Sequence, residues 1–185
     1  MTAQALKGRL LVAAPGMLDP NFDRTVVLLL EHSADGAVGV VLNRPSDTDV
    51  SDPLPAWADV AAPPAVVFTG GPVVPDGALA LGRAGEGAEP DHWTPLFGGL
   101  GLVQLDDAAA GPRVGVDRLR VFAGHAGWTS GQLDAEVAAG GWIVVDAEAD
   151  DAFAADPVDL WRRVLARQPG RLAWFANCPP DPRVN

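Results

Sequence analysis

Apolar residues in this chain come in short, dense blocks separated by glycine, proline and aspartate. The block "TVVLLLEH" (residues 25–32) is nearly continuous and rich in β-branched side chains. A run of that kind suits a strand buried on both faces. "RLLVAA" (9–14) reads as a strand before it, and "AVGVVLN" (37–43) as a strand after it. Between residues 25–32 and 37–43, "SADG" supplies an Asp-Gly turn signal, so those two strands read as a hairpin with a bulge or a loop longer than two residues. "AVVFTGGPV" (65–73), "ALALGR" (78–83), "LGLVQL" (100–105), "LRVFAG" (119–124) and "WIVVDA" (142–147) are further strand candidates.

Helical signals are fewer. Residues 54–60 predict a short helix with Pro53 or Pro55 in its first turn. "DPVDLWRRVLARQPG" predicts a clear one. Asp156 is the expected cap, Pro157 the first helical residue, and Pro169-Gly170 the stop. Leu160, Trp161, Val164 and Leu165 fall on one face, and Asp159 and Arg163 stand at pairing distance in sequence. Residues 84–99 read as irregular and exposed, and the tail "CPPDPRVN" as extended. Strands outnumber helices, so the expected fold is α+β, a single domain over residues 1–185 with mixed or antiparallel sheets.

The densest stretch is "GHAGWTSGQLDAEVAAGGWIV" (124–144). One reading is architectural. With Thr129 as N-cap and Gln132 at the third helical position, "TSGQ" fits a capping box, and Trp128 with Leu133 forms a hydrophobic staple. Gly140 and Gly141 then end the helix. Another reading is chemical. A Gly-rich turn entering a helix can present free N–H groups to an anion or small ligand. His125 can titrate near neutrality, and Thr129 or Ser130 could serve as a nucleophile if a base activated it. Neither a G-x-S-x-G elbow nor a phosphate loop is present, so no catalytic residue is assigned.

Composition narrows the classes. The 185 residues carry a formal charge of −11, with Lys7 as the single lysine and the arginines scattered. Phosphate neutralisation drives nucleic-acid affinity, so direct nucleic-acid binding is not expected. One cysteine, Cys178, excludes an internal disulfide. His32, His92 and His125 are dispersed, and neither a metal site nor a cofactor is expected. No apolar run approaches a membrane span, and the protein is expected to be cytoplasmic.

The blocks "GRLLVAAPGMLDPNFDRTVVLLLEH", "GAVGVVLNRP", "GGPV", "GHAGWTSGQLDAEVAAGGWIV" and "DPVDLWRRVL" occur in order. As a set they resemble the YqgE/AlgH family of bacterial proteins. The resemblance implies one α+β domain of coiled mixed sheets and no known reaction. The family often has tyrosine where this chain has His125, and glycine where it has Thr129. Residues 84–99 and 106–117 match poorly and read as variable loops.

The expected role is a non-enzymatic binding or regulatory protein, with an unknown protein or a small anionic ligand as partner. An enzyme acting on a small anionic substrate is the alternative, and a DNA-binding regulator ranks last. Three turns are expected to converge on one cleft: "NRP" with Asn43 and Arg44, "TGGPV" with Gly70 and Gly71, and "GHAGW" with His125 and Trp128. Arg44 would contact an anion, the glycines would admit a close backbone, and Trp128 would form an apolar wall. The competing expectation pairs Arg44 with an internal carboxylate such as Asp19 or Glu31.

Overall fold

The computed structural model describes residues 5–88, 90–105, 111–112 and 115–180. Residues 106–110 and 113–114 of one expected variable loop, and 181–185 of the expected extended tail, lie outside the described residues. In chain order the elements are β1 (Arg9–Ala13), β2 (Val26–Ser33), β3 (Gly36–Val41), β4 (Pro45–Asp49), a 3-10 helix (Pro55–Val60), β5 (Val66–Thr69) and β6 (Val73–Ala84). They continue with β7 (Trp93–Phe97), β8 (Leu100–Val103), β9 (Val116–Thr129), α1 (Gln132–Ala138), β10 (Trp142–Asp146), a second 3-10 helix (Ala149–Phe153), α2 (Leu160–Ala166) and α3 (Leu172–Phe175).

The strands form one curled sheet in the order β10-β1-β2-β3-β9-β6-β8-β7, with the β4–β5 pair joined to β9 through β5. Only β5 runs parallel to β9, so the sheet is mixed and the fold is α+β. The period-two geometry of strands sorts the apolar blocks. Leu10, Val12, Val26 and Leu28 pack on one face with Trp161, Val164 and Leu165 of α2. Leu11, Ala13, Val27 and Leu29 pack on the other with Leu133 of α1, Trp128 and Trp142. Both faces are covered, which is why β2 reads as an unbroken apolar run. Each fully buried Leu or Val contributes about 2 kcal/mol. A third cluster seats Trp57, Leu54 and Val50 over Ala80, Leu119 and Val121.

Strand β9 organises the whole sheet. Its first half pairs with β6 and β5, and its last residues, Ala126 to Thr129, pair with β3. The two halves meet at Gly124, whose φ of 74° lies in the left-handed region that glycine tolerates. The "GHAGW" segment is therefore a bent strand rather than the turn expected from its glycines.

Other expectations need correction. Ser33 pairs with Gly36, so the first hairpin closes through two residues, and the irregularity lies inside the strand between Leu29 and Glu31. Strands β4 and β7 were not expected. Each lies at the margin of the pairing network, and Pro95 is tolerated in β7 because β7 is the edge. Helix α2 starts at Leu160, with Asp159 rather than Asp156 at the cap position and no side-chain cap bond. Leu160, Trp161, Val164 and Leu165 do form its buried face. Among the described residues no helix is long and apolar enough to cross a membrane.

Candidate functional site

The three predicted segments meet. Thr69 donates its backbone N–H to the Arg44 carbonyl at 2.8 Å, Val41 to the Gly70 carbonyl at 2.8 Å, and Gly70 to the Ala123 carbonyl at 2.8 Å. Val73 pairs with His125. A side chain at Gly70 would collide with the Gly124 carbonyl, and one at Gly71 with the His125 backbone. Gly124 lies in turn against the Gly71 carbonyl. These glycines bring two backbones into contact. Beside them Val74 is 59% exposed and holds φ at 45°, an outlier for a β-branched residue. Val73 of β6 and Val38 of β3 are also exposed, near Gly127 of the intervening β9.

The polar residues of these segments face inward or brace neighbours. Asn43 is buried; its Oδ1 accepts from the Val26 N–H at 2.9 Å and its Nδ2 donates to the Arg24 carbonyl at 2.8 Å. Arg44 donates to the Pro20 and Asp23 carbonyls at 2.9 and 3.0 Å. The carboxylates considered as its partners are engaged elsewhere: Asp19 accepts from the Asn21 N–H, and Glu31 pairs with Lys7. His125 is half-buried, and no side-chain hydrogen bond joins it to another described residue.

Trp128 is turned into the core, where it joins Trp142 and Phe22 with ring centroids 5.4–6.2 Å apart. Both indole N–H groups donate to Glu136 Oε2 at 2.9 Å, and Gln132 donates to Oε1. Partial burial disfavours the Glu136 charge, yet the hydrogen bonds from Gln132, Trp142 and Trp128 win and hold its carboxyl below the ordinary range. Thr129 is the last residue of β9 and not a helix cap. Gln132 Oε1 accepts its N–H at 3.0 Å, which is one arm of the expected capping box, but the position before α1 is Gly131 and carries no side-chain cap. The expected glycine stop is present. Gly141 donates to the Glu136 carbonyl and Gly140, with φ 80°, to the Val137 carbonyl, the double bond of a Schellman motif. Ser130 donates to the Ala34 carbonyl.

What Asn43, Arg44 and Trp128 hold in common is the loop of residues 15–24. Asn43 and Arg44 grip its backbone at three carbonyls, and Phe22 is clamped by two tryptophans. The loop nevertheless leaves Leu18 94% exposed. Beside Leu18 opens a cavity of about 540 Å³ lined by Pro15, Met17, Pro20, Arg24, Cys178 and Pro179 among others. Arg24 has φ 53°, lies 4.4 Å over the Trp161 ring and donates to the Cys178 carbonyl at 2.5 Å. Leu18 and Arg24 belong to no motif that marks them in the sequence. The one available signal was an exposed-looking leucine in the "MLDP" turn.

A second, larger cavity of about 1160 Å³ lies over β7 and β8. Its rim includes Trp93, Phe97, His92 and Gln104, with His92 Nδ1 and Gln104 Oε1 3.3 Å apart. The sequence also gave no warning of Arg120, 2% exposed on β9. Its guanidinium donates to the carbonyls of Ala62, Pro63 and Ala154 and lies over Phe68. Desolvation, with the nearby Arg118 charge, pulls it down to about 10. It ties three segments together. Among the described residues no group of three or more His, Cys, Asp or Glu side chains could hold a metal ion.

A family model described as AlgH-like matches residues 10–173. The chain belongs to the AlgH-like family. A UPF0301 protein of Streptomyces avermitilis is 49% identical over 185 residues, covering 98% of this chain and 96% of that one. A UPF0301 protein of Mycobacterium tuberculosis is 42% identical, covering 94% and 88%. A crystal structure of a Corynebacterium diphtheriae protein superposes with TM-score 0.87 at 34% identity, covering 95% and 94%. The solution structure of the AlgH protein from Pseudomonas aeruginosa gives 0.69 at 31%, covering 96% of each chain. This AlgH-like chain thus shares its whole fold with solved relatives from distant bacteria.

Proposed function

We propose that this AlgH-like chain is a non-enzymatic binding or regulatory protein of the bacterial cytoplasm, and that the loop of residues 15–24 is its recognition element. The observation that carries this reading is the contrast within that loop. Its backbone is pinned at Pro20, Asp23 and Arg24 by Arg44 and Asn43, while Leu18 stands 94% exposed beside a cavity. An apolar side chain held out on a preorganised loop binds without a large ordering cost. Recognition residues gather on such loops of rigid sheets. Asn43 and Arg44 then serve by positioning the loop. Direct DNA contact is set aside, because a −11 chain with scattered arginines has no basic recognition face.

Co-purification of the wild-type chain and a Leu18→Asp variant, followed by mass spectrometry, tests the reading. A bound protein or metabolite retained by the wild type and lost by the folded variant is expected. Identical retention by both would overturn it.

A further inference from the structure

The cavity beside Leu18 has a chemistry of its own. Its walls are Pro15, Met17, Leu18, Pro20 and the Pro179–Pro180 pair, so most of its surface is apolar. Its volume, about 540 Å³, falls in the range of small-molecule sites. Two charged residues line it, Arg24 and Asp23. Asp23 is exposed, whereas Arg24 is half-buried.

Arg24 is unusual in three ways. The chain has 24 acidic residues, yet none of the described carboxylates pairs with this guanidinium. Its one hydrogen bond to a described residue runs from Nη2 to the Cys178 carbonyl, which leaves Nη1, Nε and the second Nη2 hydrogen without a partner among the described residues. Its backbone is held at φ 53°, a conformation that a non-glycine residue keeps only where its surroundings impose it. Here the Arg24 carbonyl accepts from Asn43 and the guanidinium lies over the Trp161 ring. A partly desolvated, oriented fork with free donors matches a carboxylate, which it can hold through two bonds.

We propose that this cavity binds an organic anion with an apolar chain and a terminal carboxylate, Arg24 taking the carboxylate and Met17, Leu18 and the prolines taking the chain. This rests on the reading of the 15–24 loop as a recognition element and names its ligand class. The carboxylate can come from a free fatty-acid-like molecule or from a peptide C-terminus.

Titration of the isotope-labelled full chain, followed by amide NMR, tests the site. The probes are octanoate, octanol, and acetyl-leucyl-leucine as the free acid and as the amide. Octanoate or the free-acid peptide should saturate at millimolar concentration and shift the amides of Gly16, Met17, Leu18, Arg24 and Cys178. The tighter of the two identifies the source. Octanol and the amide should bind at least about tenfold more weakly, the scale of a charge-assisted hydrogen bond. Arg24→Gln should weaken the acid by a similar factor. Asp23→Asn should tighten it about threefold by removing an exposed like charge. Leu18→Ser should weaken it while the melting temperature stays put, which keeps the test valid if Arg24→Gln folds poorly. Equal affinity for acid and alcohol, or shifts confined to other segments, would overturn the proposal. If neither acid binds but Leu18→Asp still loses the co-purified partner, the ligand class is wrong and the recognition loop stands.

Discussion

The loop of residues 15–24 and the described residues 85–88 and 90–92 each border a cavity, and they are held in different ways. The first is gripped from outside itself. Arg44 and Asn43 reach it from the end of β3, Phe22 stacks on Trp128 of β9 and meets Trp142 of β10 edge-to-face, and Arg24 rests on Trp161 of α2. Among the described residues, the second is held along its base. Gly85 donates to the Gly115 carbonyl, Ala88 to the Gly85 carbonyl, and His92 meets Gln104 through one backbone and one side-chain contact. Two cavities can thus differ not only in volume but in how firmly their walls are set. A wall fixed in advance favours one ligand shape, and a loosely tied wall adapts to several.

That contrast can be broken by mutation. The largest expected effect is Phe22→Ala, which removes the ring that packs against both Trp128 and Trp142. It should cost about 3 kcal/mol in urea unfolding. A loss no greater than that of a surface substitution would show that the aromatic clamp is idle. Asn43→Ala strands the Val26 N–H and the Arg24 carbonyl and should cost about 2 kcal/mol by the same measurement. A neutral result would mean that water replaces both bonds. Arg44→Ala, at a more exposed position, should cost about 1 kcal/mol and speed amide exchange at residues 20–24. Unchanged exchange there would remove Arg44 from the positioning role.

The Glu136 carboxyl beneath the clamp gives a smaller, pH-dependent effect, because it is only partly buried. Its pKa is lowered in the folded chain from an ordinary 4.5. Its stabilisation is therefore complete above the ordinary value and fades as pH falls through the lower folded one. The melting temperatures of wild type and Glu136→Ala should converge in acid and separate towards neutrality. Curves that run parallel at every pH would refute the hydrogen-bonded carboxylate. Smallest of all, Gln104→Ala at the other loop should change unfolding by no more than about 0.5 kcal/mol. A cost as large as that of Asn43→Ala would abolish the distinction between the loops.

The parts legible from the sequence were those where one physical pattern dominates. The two-sided burial of β2, the apolar face of α2 and the glycine stop after α1 follow directly from residue spacing. The segments that carry Arg44, Gly70, Gly71 and His125 pair through their backbones. Their tasks were harder to read. A glycine that admits a ligand and one that admits another strand look the same in a sequence, and only the Gly124 and His125 backbones distinguish them. Arg120 is buried through carbonyls from residues 62, 63 and 154, which no local window contains. Leu18 and Arg24 owe their placement to side chains on three other elements, so their own neighbourhood in the sequence carried little signal.

The long bent strand β9 also sets a schedule. During synthesis the hairpin of β2 and β3 emerges some eighty residues before the Ala126–Thr129 segment that completes it. Until then the free edge of β3, with its "AVGVV" run, offers unpaired backbone to any neighbouring chain. The ribosome must deliver two-thirds of the polypeptide before that edge is sealed. Translation pauses that leave β3 outside the ribosome with residues 126–129 still inside it or unmade should therefore raise the aggregated fraction, and pauses after those residues have emerged should not.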